Sequence, residues 1–198
     1  VFDLENGGCW DSVKDAGFEV VKNADGQVSA IGGYRFSSGW ARNQKIFFWA
    51  EFSRPAAQFS LAENKPIYGH YDLGTTAEGD VVLVKVALSP VSMAGAKANM
   101  AAELPGWDFE QTVRQADDLW NQELQKIRIT SDNLARKRTF YTAMYHLMVA
   151  PSTFCDVNGD YYGADHRNHA SKGHTTYTTY SLWDTYRAAH PLMTLIHP

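Results

Sequence analysis

The stretch Ser181-Leu-Trp-Asp-Thr-Tyr-Arg-Ala-Ala-His-Pro191 puts an indole, a carboxylate, a phenol, a guanidinium and an imidazole within eleven residues. Trp183 offers a flat stacking face and an N–H donor. Asp184 can accept hydrogen bonds from the hydroxyls of a sugar. The same spacing has a structural reading. Ser181 and Asp184 stand as N-cap and N3 of a capping box, and a carboxylate in a first turn suits the helix dipole. Arg187, three residues on, is placed to pair with Asp184. Spacing alone favours the cap.

Other chemistry-bearing residues are weaker signals. Asp156-Val-Asn-Gly-Asp160 puts oxygens at positions 1, 3 and 5 of a calcium loop. An EF-hand also needs Gly at 6 and Glu at 12, where this chain has Tyr161 and Arg167. An Asn-Gly turn between two short extended pieces is the expectation. His166, His169 and His174 lack the spacing of a zinc site and are expected to be structural or surface groups. Motifs for nucleotide cradling, hydride transfer and serine hydrolysis are absent.

The elements that must position these residues change character along the chain. Segments 27–36, 45–52, 58–62 and 80–88 read as short strands separated by turn residues, which predicts an antiparallel sandwich. Lys45-Ile-Phe-Phe-Trp-Ala-Glu-Phe52 carries aromatics on both faces and is expected to be buried on both, ending at Pro55. From Ser92 the pattern is helical: 92–104, then an apolar stripe through Phe109, Val113, Trp120 and Leu124, with Asp108 and Gln111 as a cap. A third helix is predicted from Asn133 to about Ala150, with Phe140, Met144, Leu147 and Met148 near one face. A polar loop from Ser152 to about Thr179 follows, long enough to be functional and rich enough in Tyr to be ordered. The last helix is predicted to begin near Ser181. Strands first and helices afterwards argue an α+β chain.

Composition sets broad limits. Hydrophobic residues are 44% and charged residues 20%, ordinary globular values, while aromatics reach 13% of 198 residues. That excess suits both a β core and a sugar cleft. Net charge is −4 with no basic stripe, so the electrostatic footprint of a nucleic-acid partner is missing. No run approaches a membrane span. Cys9 and Cys155 are too few for a disulfide framework and are expected to be buried free thiols.

Several segments together resemble glycoside hydrolase family 92, the calcium-dependent exo-α-mannosidases found mostly in bacteria. These are 39–53 (GWARNQKIFFWAEFS), 86–92 (VALSPVS), 96–99 (AKAN), 103–109 (ELPGWDF), 140–151 (FYTAMYHLMVAP) and 180–192 (YSLWDTYRAAHPL). The resemblance implies an α+β multidomain fold: a β-sandwich (1–91, partial), a helical linker (92–132) and the first helices of an (α/α)6 barrel catalytic domain (133–198). It implies inverting cleavage of terminal α-linked mannose from glycans, N-glycan degradation included, in a secreted or periplasmic enzyme using Ca2+. Its partners would be mannose-containing glycans and the remainder of the same polypeptide. The catalytic acid, the base and the calcium ligands are expected beyond Pro198, so the resemblance transfers no catalytic residue and no metal ligand. It transfers Trp183 and Asp184, as substrate-binding positions for the cleaved mannose. Tyr186 and Arg187 are expected to buttress them. By itself the chain is expected to be inactive and to fold poorly.

Two other classes compete. One is a free-standing carbohydrate-binding sandwich using Trp40 and Trp49, against which the helices of 92–198 count. The other is a further sandwich plus (α/α)6 carbohydrate enzyme, such as a glycoside phosphorylase.

Overall fold

The computed structural model describes every residue except Gly8, Cys9, Asn64, Lys172 and Pro198, and the side chains of Lys65 and Pro66. The chain forms two compact units, Val1–Trp107 with Phe154–Thr176, and Asp108–Thr153 with Tyr177–Pro198.

The first unit is built from two antiparallel sheets. One has the order β2-β3-β4-β7, formed by Ser12–Lys22, Val28–Ser38, Gln44–Ala56 and Val84–Ser89. The other has the order β1-β6-β5, formed by Phe2–Asp3, Lys65–Asp72 and Gln58–Ala62. Between them lie buried Leu4, Val28, Ile31, Phe48 and Ala56. Phe2 anchors its two-residue strand by setting its ring 5.9–6.1 Å from those of Phe18, Phe48, Phe52 and Phe59. Burying such a side chain stabilises the fold by about 1.5–3 kcal/mol. Tyr71 links the two sheets. Its ring stacks 3.7 Å from Phe52, and its hydroxyl accepts from the Ala56 N–H and lies 2.8 Å from the Val28 carbonyl.

The opposite face of the larger sheet is covered by helix α1, Met93–Glu103. There Ala30 and Trp49 meet Ala96 and Met100. Adjacent residues of β4, Phe48 and Trp49, therefore serve opposite faces, as the period of two requires. The expectation that this strand is buried on both faces holds. Trp49 is 5% exposed. Its indole donates to Glu51 at 3.1 Å, Lys85 pairs with Glu51 at 3.3 Å, and the Lys97 ammonium lies 4.9 Å from its ring.

Two strand boundaries differ from expectation. β4 runs through Pro55 to Ala56. The ladder to β3 is irregular there, with Val28 opposite Ala56 but Ala30 opposite Glu51. A proline falling in that bulged stretch removes no regular ladder bond. β7 starts only at Val84, because Asp80 is used in a turn where its carboxylate accepts the Ala77 N–H.

The loop predicted between Ser152 and Thr179 is ordered. Asp160–Tyr162 (β8) and Asn168–Ala170 (β9) pair as a hairpin. The Phe154 N–H donates to the Thr176 carbonyl at 2.8 Å and closes the inserted segment. His169 lies 2.8 Å from Asp165 and stacks on Tyr161. That hydrogen bond holds the Asp165 carboxyl below its ordinary range. Cys155 is a half-buried free thiol, whereas Cys9 lies outside the described residues.

The second unit holds α2 (Phe109–Leu124), α3 (Leu134–Met148) and α4 (Ala189–Ile196). Asp108 caps α2 through the Gln111 N–H at 2.8 Å, and Asn133 caps α3 through the Arg136 N–H at 3.0 Å. Trp120 of α2 packs against Tyr145 of α3, ring centres 4.7 Å apart. Met144 and Ala189 are buried, while Phe109, Leu119, Leu134 and Leu195 stay exposed.

Near the N-terminus Asp11 and Arg35 form a two-pronged ion pair, at 2.5 and 3.1 Å. Hydrogen bonding from Arg35 holds the Asp11 carboxyl down to about 2. A depressed carboxylate pKa adds stability above the ordinary carboxylate range, and that stability is lost as pH falls toward 2. Denaturation midpoints of the wild type and Asp11→Asn, measured from pH 5 to pH 2, should therefore converge as pH falls. A gap that stays constant would show that this pair is not the source.

Candidate functional site

The turn carrying Trp183 and Asp184 is not the start of a helix. Residues 182–188 form consecutive turns, and α4 begins at Ala189, behind Ala188 at φ 60°. The capping-box expectation at Ser181 is therefore corrected. Pro191 supplies the reason. A single helix running from Ser181 through Ile196 would hold this proline in its interior, where it removes a backbone hydrogen bond and clashes, at a cost of about 3 kcal/mol. Beginning at Ala189 puts Pro191 in the first turn, where no N–H is needed.

Within the turn the Asp184 N–H donates to the Ser181 carbonyl at 3.1 Å. The Asp184 carboxylate is exposed and takes no hydrogen bond among the described residues. Arg187 does not pair with it. Its guanidinium lies 5.2 Å from the Tyr186 ring instead. Trp183 is 90% exposed and borders, with Leu182 and Tyr186, an open depression of about 550 Å³. The base of the turn is fixed by His190, whose Nε2 lies 3.0 Å from the Thr185 hydroxyl and whose ring meets Tyr180 edge-on at 4.9 Å. Spacing gave no hint of this His190–Thr185 tie, because both residues were expected along one helix.

A larger cavity of about 690 Å³ lies between α2 and α4, with Trp120, Tyr177, Tyr180 and His190 in its wall. Among the described residues Glu123 is the one carboxylate lining it. That group is already paired, 2.7 Å from Lys126 and 3.2 Å from His197. Inverting glycoside hydrolysis needs two carboxyl groups roughly 6.5–9.5 Å apart, and the described residues lining this cavity supply one.

A buried, multiply bonded polar cluster lies in the first unit. The carboxylate of Asp156, buried, accepts from the Ser89 hydroxyl at 2.8 Å and from the Asn99 amide at 2.9 Å. The same Asn99 amide nitrogen donates to the Leu88 carbonyl at 2.8 Å, and its oxygen accepts the Val157 N–H at 2.8 Å. Ser89 Oγ also accepts the N–H groups of Val91 and Ser92. The Asp156–Asp160 segment is thus a turn, as expected. Gly159 sits at φ +89°, and Asn158 and Asp160 bond each other. Asp156 is held by protein donors and is not arranged as a cation ligand. The cluster joins positions 89, 99 and 156, too far apart in sequence for any spacing rule to find.

An antiparallel sandwich carrying a helix on its outer face, followed by a helical unit with an exposed Trp–Asp turn, defines a mixed α+β protein with sandwich-like sheets. The particular family follows from comparison. The sequence profile of the glycosyl hydrolase family 92 catalytic domain matches residues 95–198, and the chain belongs to that family.

Among solved structures, the family GH92 α-mannosidase BT3965 from Bacteroides thetaiotaomicron is 33% identical, with a TM-score of 0.80 over 93% of this chain and 26% of that one. The same protein bound to mannoimidazole matches equally. The inverting mannosidase BT2199 of that organism matches with a TM-score of 0.72 over 93% of this chain and 27% of that one, at 22% identity, a likeness of fold. An uncharacterized secreted glycosidase of Arthroderma benhamiae is 32% identical over 81 residues, 39% of this chain and 10% of that protein. The chain thus spans about a quarter of the solved mannosidases.

Hydrogen bonds to a charged group contribute about 1.5–3 kcal/mol each. Asp156→Ala should therefore destabilise the first unit by about 3 kcal/mol, read by urea denaturation, and speed proteolytic cutting within 154–176. Unchanged cutting would mean that the cluster does not hold this segment.

Proposed function

We propose that this chain is part of an inverting α-mannosidase that removes terminal α-linked mannose from glycans, N-glycans among them. One observation carries the proposal: the 33% identity, over nearly the whole chain, to an α-mannosidase whose structure has been solved with mannoimidazole. In this reading residues 133–198 open an (α/α)6 barrel, after the sandwich (1–91) and a linker (92–132). The exposed apolar side chains of α2, α3 and α4 are then covered by the remainder of the same polypeptide, and the 198 residues alone are inactive.

Trp183 and Asp184 hold the mannose that is cleaved. The indole face takes an apolar face of the pyranose, and the Asp184 carboxylate accepts hydrogen bonds from its hydroxyls. One carboxylic acid protonates the leaving oxygen while a second carboxylate activates water on the opposite face. That pair lies on other parts of the polypeptide. Among the described residues no three His, Cys, Asp or Glu side chains converge on one point, so none of them is proposed as a calcium ligand. In this reading the calcium of the family is held together with the catalytic pair, by other parts of the polypeptide. No described helix is long and apolar enough to cross a membrane, and the name of the fungal relative supports secretion. A binding module without catalysis is less well supported, because Trp49, one of its two aromatics, is buried.

In the whole polypeptide, Asp184→Asn should lower kcat/KM on α-mannosides by about 10- to 150-fold, the equivalent of the 1.5–3 kcal/mol of a hydrogen bond to a charged group. The melting temperature should not move, because the carboxylate makes no hydrogen bond among the described residues. Normal turnover with a large loss of melting temperature would overturn the role. Chelation of calcium should abolish turnover and added calcium restore it; turnover indifferent to chelator would remove the metal from the proposal.

A further inference from the structure

We propose that Trp10 and Trp40 form a pyranose-stacking platform on the sandwich unit, a glycan-binding site built from residues other than Trp183 and Asp184. Trp10 is 81% exposed and Trp40 is 82% exposed. Their rings form a near-parallel, stacked pair, centres 6.4 Å apart and planes 25° apart.

The backbone beneath both rings is fixed. Trp10 precedes Asp11, which Arg35 grips with two hydrogen bonds while its Nε donates to the Leu4 carbonyl at 2.8 Å. Trp40 follows Gly39, where a Cβ would come within 2.4 Å of the Trp10 carbonyl oxygen. The two chain segments therefore meet backbone to backbone, which a side chain at position 39 would prevent. Ser12 pairs with Ser38 just beyond, at the end of the β2–β3 ladder. A platform held this way loses little freedom when it binds.

The surroundings choose the ligand. Arg42, Asn43 and Gln44 continue the same exposed segment and carry polar donors and acceptors within a few residues of Trp40 in sequence. A pyranose has that complementary form, an apolar face rimmed by hydroxyls. A protein partner fits less well. A Trp side chain can bury about 150–250 Å², so two of them fall short of the roughly 800 Å² per side of a stable protein interface. The carbohydrate class rests on membership of a glycoside hydrolase family and not on the inverting α-mannosidase proposal.

The test uses the whole polypeptide carrying this segment, run in native gels cast with yeast mannan, xylan or β-glucan, alongside turnover of an aryl α-mannoside. At least one polysaccharide should retard the wild type. Trp10→Ala and Trp40→Ala should each weaken that retardation at least tenfold, and Trp40→Tyr, which keeps a ring, should restore part of it. Turnover of the small mannoside should be the same in all four proteins, which also reports that each is folded. Retardation that survives both alanine variants overturns the platform. So does the absence of retardation by all three polysaccharides, the outcome if another part of the polypeptide covers the pair. Failure of the α-mannosidase proposal would appear separately, as a wild type that leaves the aryl mannoside intact.

Discussion

The first unit depends on one buried carboxylate. A charged oxygen taken out of water is costly unless donors replace its solvation, and Asp156 has Ser89 and Asn99 to do so. Those donors come from the end of β7 and from α1, while Asp156 comes from an insertion more than fifty residues later. Because each partner also bonds neighbouring backbone, the arrangement has few alternatives. Asn99 can satisfy Leu88, Asp156 and Val157 together only in one orientation. Hydrophobic burial is tolerant of small shifts; this cluster is not, and it fixes strand, helix and insertion in one register.

That constraint explains the small residues of α1. A Cβ at Gly95 would lie 2.1 Å from Asp156 Oδ2 and 2.7 Å from Ser89 Oγ. Asp156 cannot swing aside, since it is held by two donors in a buried site. Gly95 therefore serves close approach, while its N–H completes the Ser92 cap. The next residue, Ala96, meets the sheet face that carries Ala30 and Trp49. Polar cluster and apolar contact share one helix and set its distance from the sheet together.

How much of this was legible in the sequence follows from the range of each signal. The alternation in 45–52 placed Phe48 and Trp49 on opposite faces, because period two is a local property of a strand. The cap at Asp108 and the helix starts near Ser92 and Asn133 were readable for the same reason. The strands β1, β2 and β6 were not. β1 has two residues and depends on Phe2 finding four distant rings. β2 is largely solvent-facing and interrupted by register shifts at Val13–Asp15 and Val21–Lys22, so its alternation is broken. The Asp156 cluster was invisible as a unit, although Ser89 and Asn99 each fell in a segment that resembled the family. The resemblance marked the positions; only the fold shows that they meet.

The Trp183–Asp184 turn shows two local rules in conflict. Ser-x-x-Asp invites a helix start at 181, and a proline ten residues on opposes running that helix on through residues 189–196. The penalty of about 3 kcal/mol for an interior proline exceeds the contribution of about 1 kcal/mol from a cap, so the helix begins at Ala189. The consequence is chemical. A capping carboxylate would have its oxygens turned toward backbone N–H groups. In the turn that forms instead, Asp184 bonds through its own N–H to Ser181, and its oxygens face solvent. The indole of Trp183 is left open for the same reason, since no helix face draws it inward. Pro191, which touches no ligand in the proposed site, thereby decides that the indole and the carboxylate are both free for one.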